Sequence, residues 1–270
     1  MNELHFIETQ EHRRFAEFCD ACRRYRYIGL CYGAPGVGKT VSAETYSAWR
    51  RLQALADLTR TTVPSAVESS AHQDFAHQAL FYTVPVAVSL GQLARDVNQL
   101  RMQLNYVLMA TNMVNIRQPQ HVEHDLVELI IIDEADRLGA VPLEQVRDIY
   151  DRSHLGVVLI GMPGIERRLA RYPQLYSRIG FVHHFRPLSA IEMRQVVPHL
   201  WQNMTANNEA LDETLSADVL LAIMRITGGN FRLIQRLLSQ LERIMAINRL
   251  SAATKEALET ARTSLIIGAT

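Results

Sequence analysis

Gly33-Ala34-Pro35-Gly36-Val37-Gly38-Lys39-Thr40 sets glycines, one lysine and one hydroxyl in the spacing GxxxxGK[ST]. Glycines let backbone N–H groups turn inward around an anion, and a helix beginning there adds its positive N-terminus. The Lys39 ammonium is a compact charge able to reach the β- and γ-phosphates of a nucleoside triphosphate. The Thr40 hydroxyl is a hard oxygen ligand for Mg²⁺. About ninety residues later, Leu129-Ile130-Ile131-Ile132-Asp133-Glu134 ends an apolar run in two acids. At the C-terminal edge of a buried strand, Asp133 is placed to hold the Mg²⁺, and Glu134 to polarise the water attacking the γ-phosphate. Lys39 also stands out by its residue type. Of 28 basic residues only Lys39 and Lys255 are lysine, and a planar guanidinium does not fit a tight phosphate cradle. The two motifs together imply binding of a nucleoside triphosphate with Mg²⁺, followed by hydrolysis.

The elements that must position these residues follow from periodicity. Glu8–Arg24 reads as a helix with Thr9 as N-cap, Tyr27–Tyr32 as a strand, and Val41–Leu55 as a helix, so that the glycine loop sits between strand and helix. Thr61–Gln78 is polar and reads as a surface insertion. Leu80–Val88 reads as a strand whose far half Pro85 breaks, Gln92–Met109 as a helix, and Leu126–Ile132 as a central strand of a parallel sheet covered on both faces. Leu143–Arg152 is helical and Gly156–Ile160 is another buried strand. After Pro187 only helical spacing remains, over Ala190–Met204, Ser216–Thr227, Asn230–Asn248 and Ala252–Ser264. Alternating α and β followed by helices alone predicts an α/β unit with a central parallel sheet over residues 1–187 and a helical lid over 188–270.

Composition excludes other classes. The chain has 270 residues, zero formal net charge, 48% hydrophobic and 21% charged residues, and no apolar run approaching the ~20 residues of a membrane span. Met1–Gln10 lacks an apolar signal-peptide core, which reads as a cytoplasmic protein. Cys19-x-x-Cys22, with Cys31, has no second CxxC and reads as buried thiols rather than a zinc site. His183 and His184 are adjacent on a strand and point to opposite faces, which does not suit a metal. Trp49 and Trp201 fall at apolar helical positions and read as core.

With these residues in view the sequence resembles an AAA+ P-loop ATPase. The run Ile131-Ile132-Asp133-Glu134-Ala135-Asp136-Arg137-Leu138, and Val157-Val158-Leu159-Ile160-Gly161 after one helix, resemble the transposition-regulator branch that includes TniB, TnsC and the Mu phage B protein. The resemblance implies ATP as the nucleotide and Mg²⁺ as the ion. It implies Gly33, Ala34, Pro35, Gly36, Val37, Gly38, Lys39, Thr40 and Asp133 as the nucleotide and metal cradle, with Lys39 and Glu134 in catalysis. It further implies that Arg178, in Tyr176-Ser177-Arg178, reaches the γ-phosphate held by a neighbouring subunit. Arg232, in Gly228-Gly229-Asn230-Phe231-Arg232, would contact the γ-phosphate from the lid. One departure stands out. After the strand Gly156–Ile160, many AAA+ proteins carry a Thr, Asn or Ser that orients the water. Gly161, Met162 and Pro163 offer no such side chain, so slow or partner-stimulated hydrolysis is expected.

The same resemblance implies a homo-oligomer or helical filament on double-stranded DNA. Arg95, Arg101, Asn112 and Arg117 lie in the region expected to touch that DNA. Phosphate contacts multiplied along a filament tolerate zero net charge and give sequence-tolerant binding. The function implied is regulation of DNA transposition, with a transposase and a target-selection protein as partners and hydrolysis driving disassembly. A helicase loader or replication initiator, and a non-hydrolysing scaffold glued by ATP, are the alternatives.

Overall fold

The computed structural model describes residues 6–61, 77–88, 91–113, 125–206 and 214–265. In chain order the elements are α1 (Gln10–Tyr25), β1 (Ile28–Tyr32), α2 (Lys39–Tyr46), α3 (Trp49–Thr61), β2 (Ala79–Thr83), α4 (Gln92–Met113), β3 (Leu129–Asp133), a short 3₁₀ turn at Ala135–Arg137, α5 (Ala140–Ser153) and β4 (Gly156–Gly161). There follow α6 (Ile165–Leu169), α7 (Pro173–Tyr176), β5 (Ile179–His184), α8 (Ala190–Thr205), α9 (Ala217–Thr227), α10 (Phe231–Asn248) and α11 (Lys255–Thr263).

The five strands form one parallel sheet in the order β2-β3-β4-β1-β5. The apolar run ending in Asp133 is buried at every position of β3, and β4 likewise, as strands covered on both faces require. On one face Ile28, Leu30, Ile130, Ile132, Val157 and Leu159 share a core with Leu93, Val97 and Leu104 of α4 and Leu143 and Val146 of α5. On the other face α1 contributes Phe15 and Phe18, whose rings meet His183, and Phe15 also meets Phe185. His184 turns the opposite way and stacks on Tyr32. The two histidines therefore cannot serve one ion. Cys19, Cys22 and Cys31 are buried, and burial pushes the Cys22 thiol up to about 12, far from the thiolate a metal needs.

By their contacts, Arg14–Gly33 and Lys39–Phe185 form one compact unit; the stretch before Arg14, Ala34–Gly38 and the chain from Arg186 onward form a second. The second unit is helical apart from the loop. Its helices carry side-chain N-caps at Ser189, Ser216, Asn230 and Thr254, each accepting an N–H of the first turn, worth about 1 kcal/mol apiece. They bury Leu200, Trp201, Ile223, Leu237, Leu238, Leu241 and Leu258 together. Trp201 is fully enclosed, so its truncation to alanine would cost about 3–5 kcal/mol.

Two expectations are corrected. The helix expected over Val41–Leu55 is two helices, broken where Ala48 takes φ 50° and the Ser47 hydroxyl donates back to the Ala43 carbonyl at 2.8 Å. The first of them begins at Lys39 itself. The strand expected over Leu80–Val88 ends at Thr83, before Pro85. The four- and five-residue helices α7 and α6 were not anticipated, being too short to show periodicity. The insertion expected over Thr61–Gln78 lies almost wholly outside the described residues, as does Arg117.

Candidate nucleotide-binding site

All strands being parallel, Tyr32, Asp133 and Gly161 end on one edge of the sheet, where Tyr32 pairs with Gly161 and Asp133 with Thr83. Open α/β sheets bind ligands at that edge. The chain leaves β1 into the glycine loop and returns as α2, which presents Lys39 and Thr40 from its first turn. Lys39 is buried, and its Nζ donates to the Gly33 carbonyl at 2.6 Å. Burial lowers the ammonium from its ordinary value, and nearby acids, Asp133, Glu134 and Asp136 among them, push it back up.

The Thr40 hydroxyl donates to Asp133 Oδ2 at 2.7 Å, and the Glu134 N–H donates to Asp133 Oδ1 at 2.8 Å. Asp133 is almost fully buried, and burial raises its carboxyl while those two hydrogen bonds lower it. A hydroxyl and one carboxylate, both hard oxygens already side by side, fit an ion that keeps most of its ligands as water and phosphate, as Mg²⁺ does. Among the described residues no group of three or more His, Cys, Asp or Glu side chains could cage a metal unaided.

Glu134 stands in the left-handed region at φ 57°, ψ 37° and starts the 3₁₀ turn. Such a conformation costs about 1 kcal/mol or more for a residue with a Cβ, and persists only where its surroundings fix it. Five contacts do so here. Asp136 accepts the Met162 N–H at 2.7 Å; Arg168 donates to the carbonyls of Asp136 and Leu138; Arg137 donates to the Val84 carbonyl at 2.6 Å; and Arg137 lies 3.4 Å from the Glu134 carboxylate. The motif spacing points to Glu134 but to none of these supports. At the end of β4, where Met162 offers no polar side chain, the Asp136 carboxylate accepts the Met162 N–H. Gly161 makes room for it, since a Cβ there would sit 2.7 Å from Asp136 Oδ2 and 2.5 Å from Ile165 Cδ1.

In the helical unit the loop turn is fastened to the start of α10. Asn230 Nδ2 donates to the Pro35 carbonyl at 2.8 Å, and the Arg232 N–H donates to the Gly36 carbonyl at 3.0 Å. Gly36 has φ 79°, and a Cβ on it would come within 2.8 Å of Arg232 Cβ. The Arg232 backbone thus borders the phosphate loop.

Arg178 is not brought to the same edge. Its carbonyl accepts the Ile28 N–H at the start of β1, whereas Lys39 and Asp133 follow strand ends. The five-residue strand between separates these edges by about 17 Å. Arg178 grips Asp151 through Nε and Nη2 at 2.6 and 2.9 Å, and also donates to the Gln174 carbonyl. Of the residues expected at DNA, Arg101 is bound to Asp125 and Ser153, Arg95 is exposed on α4, Asn112 is on α4, and Arg117 falls outside the described residues.

Comparison with known proteins agrees with this geometry. Residues 22–169 match the AAA domain family. A Staphylococcus aureus protein described as a "potential ATP-binding protein" is 42% identical over 277 residues, covering 97% of each chain. The fold is similar to that of the Thermotoga maritima RuvB Holliday junction branch migration motor, with TM-score 0.59 and 15% identity over 97% of this chain and 71% of that one. It is also similar to Aeropyrum pernix ORC2, with TM-score 0.55 and 16% identity over 97% and 70%, and to Aeropyrum pernix ORC1 solved in complex with DNA, with TM-score 0.51 and 19% identity over 94% and 64%. With its five-stranded P-loop fold, its acidic strand end and these likenesses, the chain belongs to the AAA+ ATPase family.

Proposed function

We propose that the chain is an ATP-dependent, oligomeric regulator of DNA transposition that assembles on duplex DNA. The observation that carries the reading is a hydrolytic site incomplete within one chain. Lys39, Thr40, Asp133 and Glu134 sit at one end of the sheet, while Arg178 sits at the other and cannot reach the nucleotide of its own subunit. A neighbour must supply the guanidinium, so ATP is both ligand and joint.

In this reading Gly33–Gly38 wraps the phosphates with backbone N–H groups, and Lys39 leaves the Gly33 carbonyl for the β- and γ-phosphates. Thr40 and Asp133 hold Mg²⁺, which when bound neutralises charge on those phosphates. Glu134 accepts the proton of the attacking water, and Arg232 meets the γ-phosphate from the start of α10. Arg178 of an adjoining subunit trades Asp151 for the transferring phosphoryl group. Arg137 restrains Glu134 until assembly, which makes hydrolysis a timer for disassembly rather than a motor stroke.

DNA association is supported by two fold relatives, one a branch migration motor and one in complex with DNA. The transposition context, with a transposase and a target-selection protein as partners, rests on the likeness of Ile131–Leu138 and the following strand to the TniB, TnsC and Mu B branch. A second reading, a replication initiator or helicase loader, is supported by the ORC likeness. Electron microscopy with ATP or ADP, with and without duplex DNA, tests the proposal. Ordered assemblies that need both ATP and DNA support it, and monomers under all four conditions overturn it. Stimulation by a transposase rather than a helicase separates the two readings.

A further inference from the structure

Helix α10 buries Ile234, Leu237, Leu238, Leu241 and Met245. Its opposite side exposes Arg232, Arg236, Ser239 and Arg243. At 100° per residue the three arginines fall within about 40° of one another, with rises of about 6 and 10.5 Å between them. The helix has one acid, Glu242, about a quarter-turn away from the row.

The row works against its own helix. Its first turn holds no acid, so the cation at Arg232 opposes the helix dipole, and Arg232 and Arg236 repel each other at i, i+4. Several arginines elsewhere are paired with acids, as Arg101 with Asp125, Arg152 with Asp148 and Arg262 with Glu259. Among the described residues, no ion pair or hydrogen bond engages the side chains of Arg232, Arg236 or Arg243. A bound polyanion would turn each of these costs into a gain.

We propose that Arg236 and Arg243, with the Ser239 hydroxyl between them, contact the phosphate backbone of duplex DNA, leaving Arg232 to the nucleotide. An acidic protein partner is the lesser fit. Between Arg232 and Arg243 the exposed row holds no aromatic or large apolar side chain, the kind of anchor that protein interfaces centre on. Guanidinium groups and a hydroxyl are the ordinary donors to phosphate. The inference rests on the DNA-bound assembly proposed above and places a DNA contact in the helical unit.

The test is the full-length Arg236→Gln/Arg243→Gln double variant with ATP and Mg²⁺. Anisotropy of a labelled duplex is followed across a salt titration from about 50 to 200 mM. Affinity is expected to fall about tenfold or more, and the log–log salt slope to flatten by nearly two for each bound subunit. ATP affinity and DNA-free ATPase activity should stay at the wild-type level. Wild-type affinity and slope in the variant would overturn the inference while leaving the DNA-bound assembly standing. A variant whose affinity falls while its salt slope stays at the wild-type value would also overturn it, by making the row a protein interface. A wild-type protein that binds no duplex in any nucleotide state would overturn the DNA reading itself, and this contact with it.

Discussion

The guanidinium of Arg137 lies 3.4 Å from the Glu134 carboxylate while donating to the Val84 carbonyl at 2.6 Å. One side chain thus joins the general-base candidate to the segment just past β2. Both partners are partly exposed, so the ion pair is worth no more than about 1 kcal/mol. That is still about a fivefold restraint on a carboxylate that must turn toward water.

Arg137→Met should therefore raise the basal ATPase rate several-fold, with ATP affinity unchanged. Loss of the bond to Val84 should cost about 1 kcal/mol of stability. Steady-state phosphate release by the purified protein checks this. A rate that falls or stays put refutes the restraint.

The companion expectation concerns support rather than restraint. Arg168 holds two carbonyls of the turn after Glu134, and Asp136 meets the Met162 N–H in space that Gly161 vacates. Gly161→Ala forces a Cβ against Asp136 and Ile165, with about 1–3 kcal/mol of overpacking. We expect kcat to drop about tenfold in Gly161→Ala and in Arg168→Gln, with ATP affinity nearly unaltered. Equal losses in binding and turnover would mean general damage instead.

How far the site could be read from sequence divides along the same residues. Gly33–Thr40 and Ile131–Glu134 were legible because phosphate and metal chemistry fixes residue types at short range. Arg137, Asp136 and Arg168 were not, because their partners Val84, Met162 and the turn carbonyls lie 26 to 53 residues away in sequence, and only packing brings them together. The break at Ala48 was hidden because helical periodicity continues through it. The tether from Asn230 to Pro35, 195 residues apart, gave no local signal at all.

Substitutions in the cradle should separate binding from chemistry. Lys39→Ala removes the buried ammonium and should abolish ATP binding in equilibrium titration. Glu134→Gln keeps size and hydrogen bonding while removing the base, so ATP should still bind and turnover should fall at least a hundredfold. ATP-dependent assemblies of Glu134→Gln should persist where the wild type disperses. Turnover retained in Glu134→Gln would give the base role to another residue.

The buried Asp133 carboxyl predicts an inverted pH response. Burial holds it above its ordinary value. A raised acid stabilises the fold fully below the unfolded value of about 3.9, and loses that contribution as pH rises through the folded value. Ionising this carboxyl in the nucleotide-free fold therefore costs stability. Asp133→Asn, whose amide oxygen can accept the Glu134 N–H while its amide nitrogen donates to a reoriented Thr40 hydroxyl, should melt higher than wild type at pH 7, with the gap closing on acidification. The same variant should lose Mg²⁺-dependent ATP hydrolysis. A melting temperature at pH 7 equal to or below wild type would contradict the burial argument.

Arg178 offers the sharpest check on a shared site. It sits at the far edge of the sheet from Lys39 and is held by Asp151, so in an isolated chain it contributes nothing to hydrolysis. Arg178→Ala should bind ATP normally yet hydrolyse it at least a hundredfold more slowly, the lower range for loss of an arginine in phosphoryl transfer being about 10³. Glu134→Gln should be equally inactive for the opposite reason, since it has the guanidinium but lacks the base. Mixed in equal amounts, the two inactive proteins place an intact Glu134 beside an intact Arg178 wherever the subunits meet in the right order. Random mixing puts that pairing at about a quarter of junctions, so activity should recover toward a quarter of wild type, well above either variant alone. Recovery should require conditions that allow assembly and should vanish on dilution. If the mixture stays as inactive as its parts while co-assembly is verified, Arg178 does not act across subunits, and the incomplete site must be completed from elsewhere.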